Sequence, residues 1–186
     1  MNALKEKYNK VVVAEMKKLF GYKNNLSVPT IEKISINVGM NASAKEADFK
    51  ETVEKGLSRI TGQKPVFTKS RLSISNFKIR KGMIVGAKVT LRKKRMWDFL
   101  HKLIDVTLPR VRDFRGISPK CLDKSGSCSI GFKEYLAFPE IRHDEVERVH
   151  GLQVTIQTTA KDKEKGLTLL KLLGFPFKAS DKEEKK

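Results

Sequence analysis

Hydrophobic positions alternate with polar ones along this chain in two distinct rhythms. Leu4, Tyr8, Val11, Val12, Met16, Leu19 and Phe20 recur at helical spacing and predict an amphipathic helix over residues 2–20, with Gly21 placed to end it. The period then drops to two. In "IEKISINVG", Ile34, Ile36 and Val38 face one way and Lys33, Ser35 and Asn37 the other, the pattern of a half-buried strand. "SAKE" at 43–46 has capping-box form, with Ser43 as N-cap and Glu46 three residues on. The helix it opens buries Phe49, Val53, Leu57 and Ile60 and stops near Gly62. "KPVFTK" predicts a short strand whose Pro65 marks a first residue or an edge. "GAKVTLR" alternates Ala87, Val89 and Leu91 with Lys88, Thr90 and Arg92. A third helix carries Met96, Phe99, Leu100, Leu103 and Ile104 on one stripe and is expected to end before Pro109.

Residues 110–150 are punctuated by Gly116, Pro119, Gly126, Gly131 and Pro139, which predicts long loops and short strands. "LQVTIQT" is a further strand, and a Leu-rich helix through Leu167 and Leu173 ends at Gly174. The tail "ASDKEEKK", residues 179–186, is expected to be disordered. No internal repeat or linker interrupts the chain. The expected fold is one α+β domain over residues 1–178, a mostly antiparallel sheet with helices packed on one face.

Charge changes this picture. The 186 residues carry a formal net charge of +18. Such a surplus repels itself in a compact particle, so a polyanionic partner is implied. No run approaches the roughly 18 apolar residues of a membrane span, and the N-terminus lacks a signal-peptide cleavage pattern, so a cytoplasmic protein without a membrane partner is expected. The surplus is also concentrated. Between Glu54 and Asp98 there is no acidic residue, while the same span holds thirteen cations, from Lys55 to Arg95. One-signed charge on this scale is the footprint of phosphate binding, the alternative being a solvated basic face. At its centre lies "KSRLSISNFKIRKG", residues 69–82, with five cations and no acid. This connection is far longer than the usual two to five residues of a hairpin, which points to a projecting basic loop over 69–84.

The outward strand positions are Lys33, Ser35 and Asn37; Lys88, Thr90 and Arg92; and Gln153, Thr155, Gln157 and Thr159. Carboxylates are missing from that set. Hydroxyls, amides and cations suit ribose 2′-hydroxyls and phosphates and favour RNA over DNA. With no exposed aromatic pair, recognition of folded RNA by shape is expected rather than stacking on single strands.

Other chemistries find little support. Cys121 and Cys128 lie seven positions apart in a Gly/Ser-rich stretch and are expected to be free thiols, with a disulfide as the alternative. His101, His143 and His150 are scattered, so no metal site and no cofactor is expected. No Gly-rich phosphate loop, HExxH or GxSxG motif points to an enzyme. A nucleoid-type DNA-binding protein shares the charge and stays as the alternative, although no helix-turn-helix spacing, zinc finger or basic zipper is present.

Eight stretches then carry a resemblance: "VPTIEKISINVG" (28–39), "TGQKPVFTKSR" (61–71), "FKIRKGMIVGAKVTLR" (77–92), "RMWDFLHKLI" (95–104), "LPRVRDFRGIS" (108–118), "FPEI" (138–141), "TIQTTAK" (155–161) and "FPF" (175–177). Together they resemble the bacterial large-subunit ribosomal protein L-five family, from end to end apart from the tail. The resemblance implies a non-catalytic, ribosome-bound protein of the central protuberance that binds 5S rRNA and touches 23S rRNA and neighbouring large-subunit proteins. Asn37, Gln63 and Thr90 match family positions that hydrogen-bond 5S rRNA; Lys33, Ser35, Lys88 and Arg92 join them as candidates from the strand faces. The basic loop matches the one that reaches P-site tRNA, through Lys69, Ser70, Arg71, Ser73, Asn76, Phe77, Lys78, Arg80 and Lys81. Phe77 either pins this loop to its own domain or meets tRNA nucleosides. The region of residues 110–147 matches the part that meets small-subunit protein thirteen across the subunit interface, with Arg110, Arg112, Glu134, Asp144 and Glu145 as candidates. The local acid there, which includes Glu140 and Glu147, either complements that basic partner or merely solvates helix and loop. The chain departs from the family pattern at Leu72, where a cation is usual, at His150, which stands for Arg, and at Gln153, which stands for an acid.

Overall fold

The computed structural model describes residues 3–40, 47–142 and 148–178. The first helix, α1, is made of Ala3–Lys7, a wider π turn at Tyr8–Val12, and Val13–Phe20, and it stops at Gly21 with φ of 67°. Strand β1 is Ile31–Gly39 and helix α2 is Ala47–Thr61. Strands β2 (Val66–Lys69) and β3 (Ile84–Leu91) follow. Helix α3 runs through Lys93–Lys102, a π turn at Leu103–Thr107 and a last turn at Leu108–Arg110. Strands β4 (Cys128–Phe132) and β5 (Leu152–Thr158) precede the last helix, α4 (Lys163–Leu173). The strands form one five-stranded antiparallel sheet in the order β2-β3-β1-β5-β4, which is the expected α+β class.

Two expectations need correction. The third helix does not end before Pro109; Pro109 sits inside its last turn. A proline in α-helical geometry clashes with the carbonyl four residues earlier. The π turn at Leu103–Thr107 widens the helix just upstream and makes room for the ring. The alternation of β1 is also irregular at its start, where Ile31 and Ile34 are both buried and Glu32 is exposed. The capping box Ser43–Glu46 and the tail 179–186 lie outside the described residues.

The chain gathers into two compact units. One takes the described residues up to Ile34, Arg92–Ile130, and those from Thr155 onward; the other takes those of Ser35–Leu91 and Gly131–Val154. In the first, α1 packs against α3 and α4. Met16, Leu100, Leu103, Leu169 and Leu170 are fully enclosed, and the rings of Tyr8 and Trp97 meet with centroids 5.6 Å apart. Lys7 Nζ donates to the Leu173 carbonyl at 3.3 Å, a cation on the exposed carbonyls that end α4.

In the second unit α2 packs on β3. Phe49, Val53, Leu57 and Ile60 of α2 are buried, as are Ile36 and Val38 of β1 and Ala87, Val89 and Leu91 of β3. These are the helix stripe and the strand positions that the two periods single out. Burying each such side chain larger than Ala87 contributes about 1.5–3 kcal/mol, so the inward direction of the strands is strongly fixed.

Candidate nucleic-acid interface

In the second unit, the inward direction of Ile36, Val38, Ala87 and Val89 leaves Asn37, Lys88 and Thr90 exposed and Ser35 half-exposed. A one-residue slip would bury these polar groups without partners, so the core sets the polar face. Gln63 lies past the end of α2 and is half-exposed. Its backbone is held by Thr61, whose buried hydroxyl donates to the Leu57 carbonyl at 2.7 Å and the Gln63 carbonyl at 3.1 Å and accepts from the Gln63 N–H at 3.2 Å. Thr61 is thus a positioning residue that periodicity could not single out, because its hydroxyl acts on backbone rather than on the outward face.

In the first unit Lys33 is half-exposed and Arg92 exposed. In the same unit, on β4 and β5, the Ser129 and Thr155 hydroxyls lie 3.1 Å apart, and Gln157 Nε2 donates to Glu32 Oε2 at 3.2 Å. The carboxylate-free outward surface is therefore interrupted at Glu32. The sequence alternation misses it because β1 changes its inward phase between Ile31 and Ile34. Glu32 accepts from the Gln157 amide and places a negative charge there, which disfavours phosphate locally.

The stretch after β2 is an ordered hairpin. β2 pairs antiparallel with β3 from Val66↔Lys88 to Lys69↔Ile84, with a register shift between Thr68 and Lys69. Beyond it, the Ser70 N–H donates to the Met83 carbonyl at 2.7 Å and the Gly82 N–H to the Ser70 carbonyl at 2.9 Å. Ile74 and Ile79 then exchange backbone hydrogen bonds of 2.8 and 3.1 Å, closed by a single turn at Ser75–Phe77 and left-handed Lys78, φ 53°. Ser73 Oγ accepts from the Lys81 N–H at 3.0 Å, and Ser70 Oγ donates to the Leu72 carbonyl at 2.6 Å. The hydroxyls of this stretch therefore shape the backbone.

Its apolar and basic groups point outward. Phe77 is 69% exposed and Leu72 71%, so Phe77 does not pin the hairpin. Lys69, Arg71, Lys78, Arg80 and Lys81 are exposed and form no ion pair among the described residues. Two other cations of the acid-free span are engaged from outside it: Lys55 Nζ lies 2.7 Å from Glu51 and Lys64 Nζ 3.3 Å from Glu54. Asn76 and Ser73 are exposed and Ser70 half-exposed.

Of the residues matched to the small-subunit contact, Arg110 and Arg112 are exposed in the first unit and Glu134 is exposed in the second. Asp144, Glu145 and Glu147 lie outside the described residues.

His150 is buried in the second unit. Its ring stacks on Tyr135, with centroids 4.1 Å apart and planes at 4°, and meets Phe49 edge-on at 6.1 Å. Gly56 lies against this stack, where a Cβ would make an ordinary contact 3.7 Å from the Tyr135 ring. Nδ1 lies 3.3 Å from the Gly151 carbonyl, and Nε2 has no hydrogen-bond partner. At His150 this chain thus has an aromatic group inside a ring cluster. Burial holds the His150 pKa below its ordinary value, against a smaller upward push from the Gly151 carbonyl. The unfolded chain therefore takes up the proton first. Stability is full above pH ~6.5 and declines as pH falls through the lowered folded value. His150→Phe, which keeps a ring for the stack, is expected to remove that part of the slope in chemical denaturation between about pH 7 and 5. An unchanged slope would mean that the imidazole stays neutral in both states or is solvated.

The family described as "Ribosomal protein L5" matches residues 24–80, and the model of that ribosomal family's C-terminus matches residues 84–177. A protein of Dictyoglomus turgidum named large ribosomal subunit protein uL5 is 52% identical over 178 residues, 96% of this chain and 99% of that protein. Its namesake in Kosmotoga olearia is 54% identical over 175 residues, 94% and 96% of the two chains. That of Colwellia psychrerythraea is 47% identical over 178 residues, 96% and 98%. The polar strand faces and the basic hairpin thus sit in a sequence matched along nearly its whole length, and the chain belongs to the ribosomal protein L5 family.

Proposed function

We propose that this chain binds 5S rRNA through the outward side of its strands, helps attach it to 23S rRNA, and reaches P-site tRNA with the hairpin 69–84. Membership of the family makes it a structural, non-enzymatic protein of the large ribosomal subunit, ribosome-bound in the cytoplasm. The observation that carries the 5S rRNA reading is the exposure of Asn37, Lys88 and Thr90 opposite a fully buried row of Ile36, Val38 and Val89. Uncharged polar groups beside cations fit ribose and phosphate. The tRNA reading is supported by the hairpin's order and exposure. Backbone pairs at Ser70–Met83 and Ile74–Ile79 order it from within, and its cations and Phe77 stay exposed to a partner. For small-subunit protein thirteen, the supporting residues are Arg110, Arg112 and Glu134, all exposed, together with Asp144 and Glu145 of the sequence. Neighbouring large-subunit proteins complete the partners.

The test is substitution on the strand face. Asn37→Ala and Thr90→Ala are each expected to weaken 5S rRNA binding by roughly 2- to 12-fold, the equivalent of one ordinary hydrogen bond of about 0.5–1.5 kcal/mol. Thermal unfolding should stay unchanged, because both side chains are exposed. Equal affinity in both variants would show that the face is solvent surface only. A preference for duplex DNA over 5S rRNA in the unsubstituted protein would favour the DNA-binding alternative.

A further inference from the structure

The segment Cys121–Cys128 lies entirely within the first unit and closes on itself. Ser118 opens the short turn Pro119–Cys121, accepting at Oγ from the Lys120 N–H at 3.4 Å. Leu122 pairs with Cys128 as an antiparallel bridge, and the Asp123 N–H donates to the Ser127 carbonyl at 3.0 Å. The Asp123 carboxylate accepts from Ser125 Oγ at 2.8 Å and from the Ser127 N–H at 2.8 Å, which fixes the turn from inside. Gly126, φ 79°, lies against the Asp162 carbonyl and Gly166; a Cβ would fall 2.7 Å from that carbonyl, so only glycine lets the turn seat there. Thr158 Oγ1 donates to the Gly126 carbonyl at 3.0 Å. A hairpin held from within and without sets both of its ends, and those ends carry the two thiols.

Their sulfurs lie 2.7 Å apart, about 0.7 Å beyond the bonding distance of a disulfide. Both are free thiols, Cys121 half-exposed and Cys128 fully buried. We propose that Cys121 and Cys128 form a peroxide-oxidisable dithiol, in which Cys121 is the attacking sulfur and Cys128 the resolving one. The asymmetry assigns these roles. Cys121 is the sulfur that solvent reaches. Either sulfur can donate in the dithiol, but once Cys121 is a thiolate the pair's one proton sits on Cys128. That hydrogen bond holds the Cys121 pKa below the ordinary value, with a smaller contribution from the charge of Lys163, while burial opposes the shift. The same hydrogen bond, with burial, pushes Cys128 well up, so it stays protonated as the donor.

The chemistry closes without further groups. The Cys121 thiolate attacks one oxygen of a hydroperoxide; the O–O bond breaks, a sulfenic acid forms, and the other oxygen leaves as hydroxide or alkoxide. The Cys128 sulfur then attacks the sulfenic sulfur. Its proton goes to the departing hydroxide, which leaves as water, and the disulfide forms. Two thiols lose two electrons and the peroxide gains them. The bridge closes the segment across a backbone pairing that already exists, so little of the chain has to move.

The test uses the full chain with hydrogen peroxide, followed by intact mass, thiol alkylation and a non-reducing gel. The expected result is joint loss of both thiols in a monomer, a mass lower by two hydrogens, and reversal by dithiothreitol. Cys128→Ser is expected to leave a Cys121 sulfenic acid that a dimedone probe captures. In Cys121→Ser, Cys128 is expected to resist peroxide at least tenfold longer. Three results would each overturn the assignment: a sulfinic acid on Cys121 with Cys128 still alkylatable in the unsubstituted protein, disulfide-linked dimers in place of the internal bridge, or equal peroxide reactivity of the two single variants.

Discussion

Affinity for 5S rRNA is expected to fall roughly 300- to 2000-fold between 50 and 200 mM monovalent salt, if about six phosphates are neutralised at a slope of roughly 0.7–0.9 each. Lys33, Lys69, Lys88, Arg92, Lys93 and Lys94 can supply that number without the tip of the hairpin, and none forms an ion pair among the described residues. The last three stand together where β3 gives way to α3, at a helix start that carries cations where the helix dipole favours anions. Bound phosphate relieves that conflict, so these side chains should contribute strongly. Lys88→Gln with Arg92→Gln is expected to lower the slope by about 1.4–1.8 and to weaken binding at low salt most. Lys55 and Lys64 serve as controls, because Glu51 and Glu54 already neutralise them. A nearly flat salt dependence in filter binding or fluorescence titration would remove the electrostatic basis for the RNA assignment.

Much of the fold was legible because periodicity is a direct imprint of burial. The stripe Phe49, Val53, Leu57, Ile60 and the rows Ile34, Ile36, Val38 and Ala87, Val89, Leu91 all lie inside. The outward partners of those rows follow from the pleat alone, which turns Asn37 and Thr90 to solvent. What failed were features that depend on local geometry rather than on period. Glu32 is exposed because the inward phase of β1 shifts between Ile31 and Ile34. Pro109 continues a helix because the π turn before it widens the backbone. The Thr61 hydroxyl positions Gln63 through backbone hydrogen bonds that a side-chain pattern does not encode. The proximity of Cys121 and Cys128 needs the Asp123 turn and the seat for Gly126, neither of which a spacing of seven reveals. The hairpin shows both sides: its length and charge were readable, but its order, the Ile74–Ile79 pairing and the outward Phe77 were not.

That order makes the hairpin separable, and its removal is the sharpest test of the tRNA assignment. Within residues 71–81 the pairing is local, Ile74 with Ile79, Lys78 with Ser75 and the Lys81 N–H with Ser73, with Met83 bonding back to Arg80, and all but Ile79 are exposed. Replacing them with a short Gly/Ser turn between Ser70 and Gly82 removes no buried core residue, so the melting temperature should stay within a few degrees. The six cations named above remain, so 5S rRNA affinity should change less than about twofold. Ribosomes carrying the variant are expected to release P-site tRNA roughly tenfold faster, because each exposed ionic contact contributes about 0.2–1 kcal/mol and several are lost together. Arg71, Lys78, Arg80 and Lys81 changed jointly to Gln should reproduce most of that loss, whereas single changes are largely hidden by salt screening. Phe77→Ala divides the remainder: a further loss at high salt assigns the ring to a nucleoside, since apolar contact survives screening. If the shortened protein instead loses 5S rRNA while tRNA retention stays normal, the hairpin belongs to the rRNA footprint. Its cations would then raise the phosphate count in the salt slope above six.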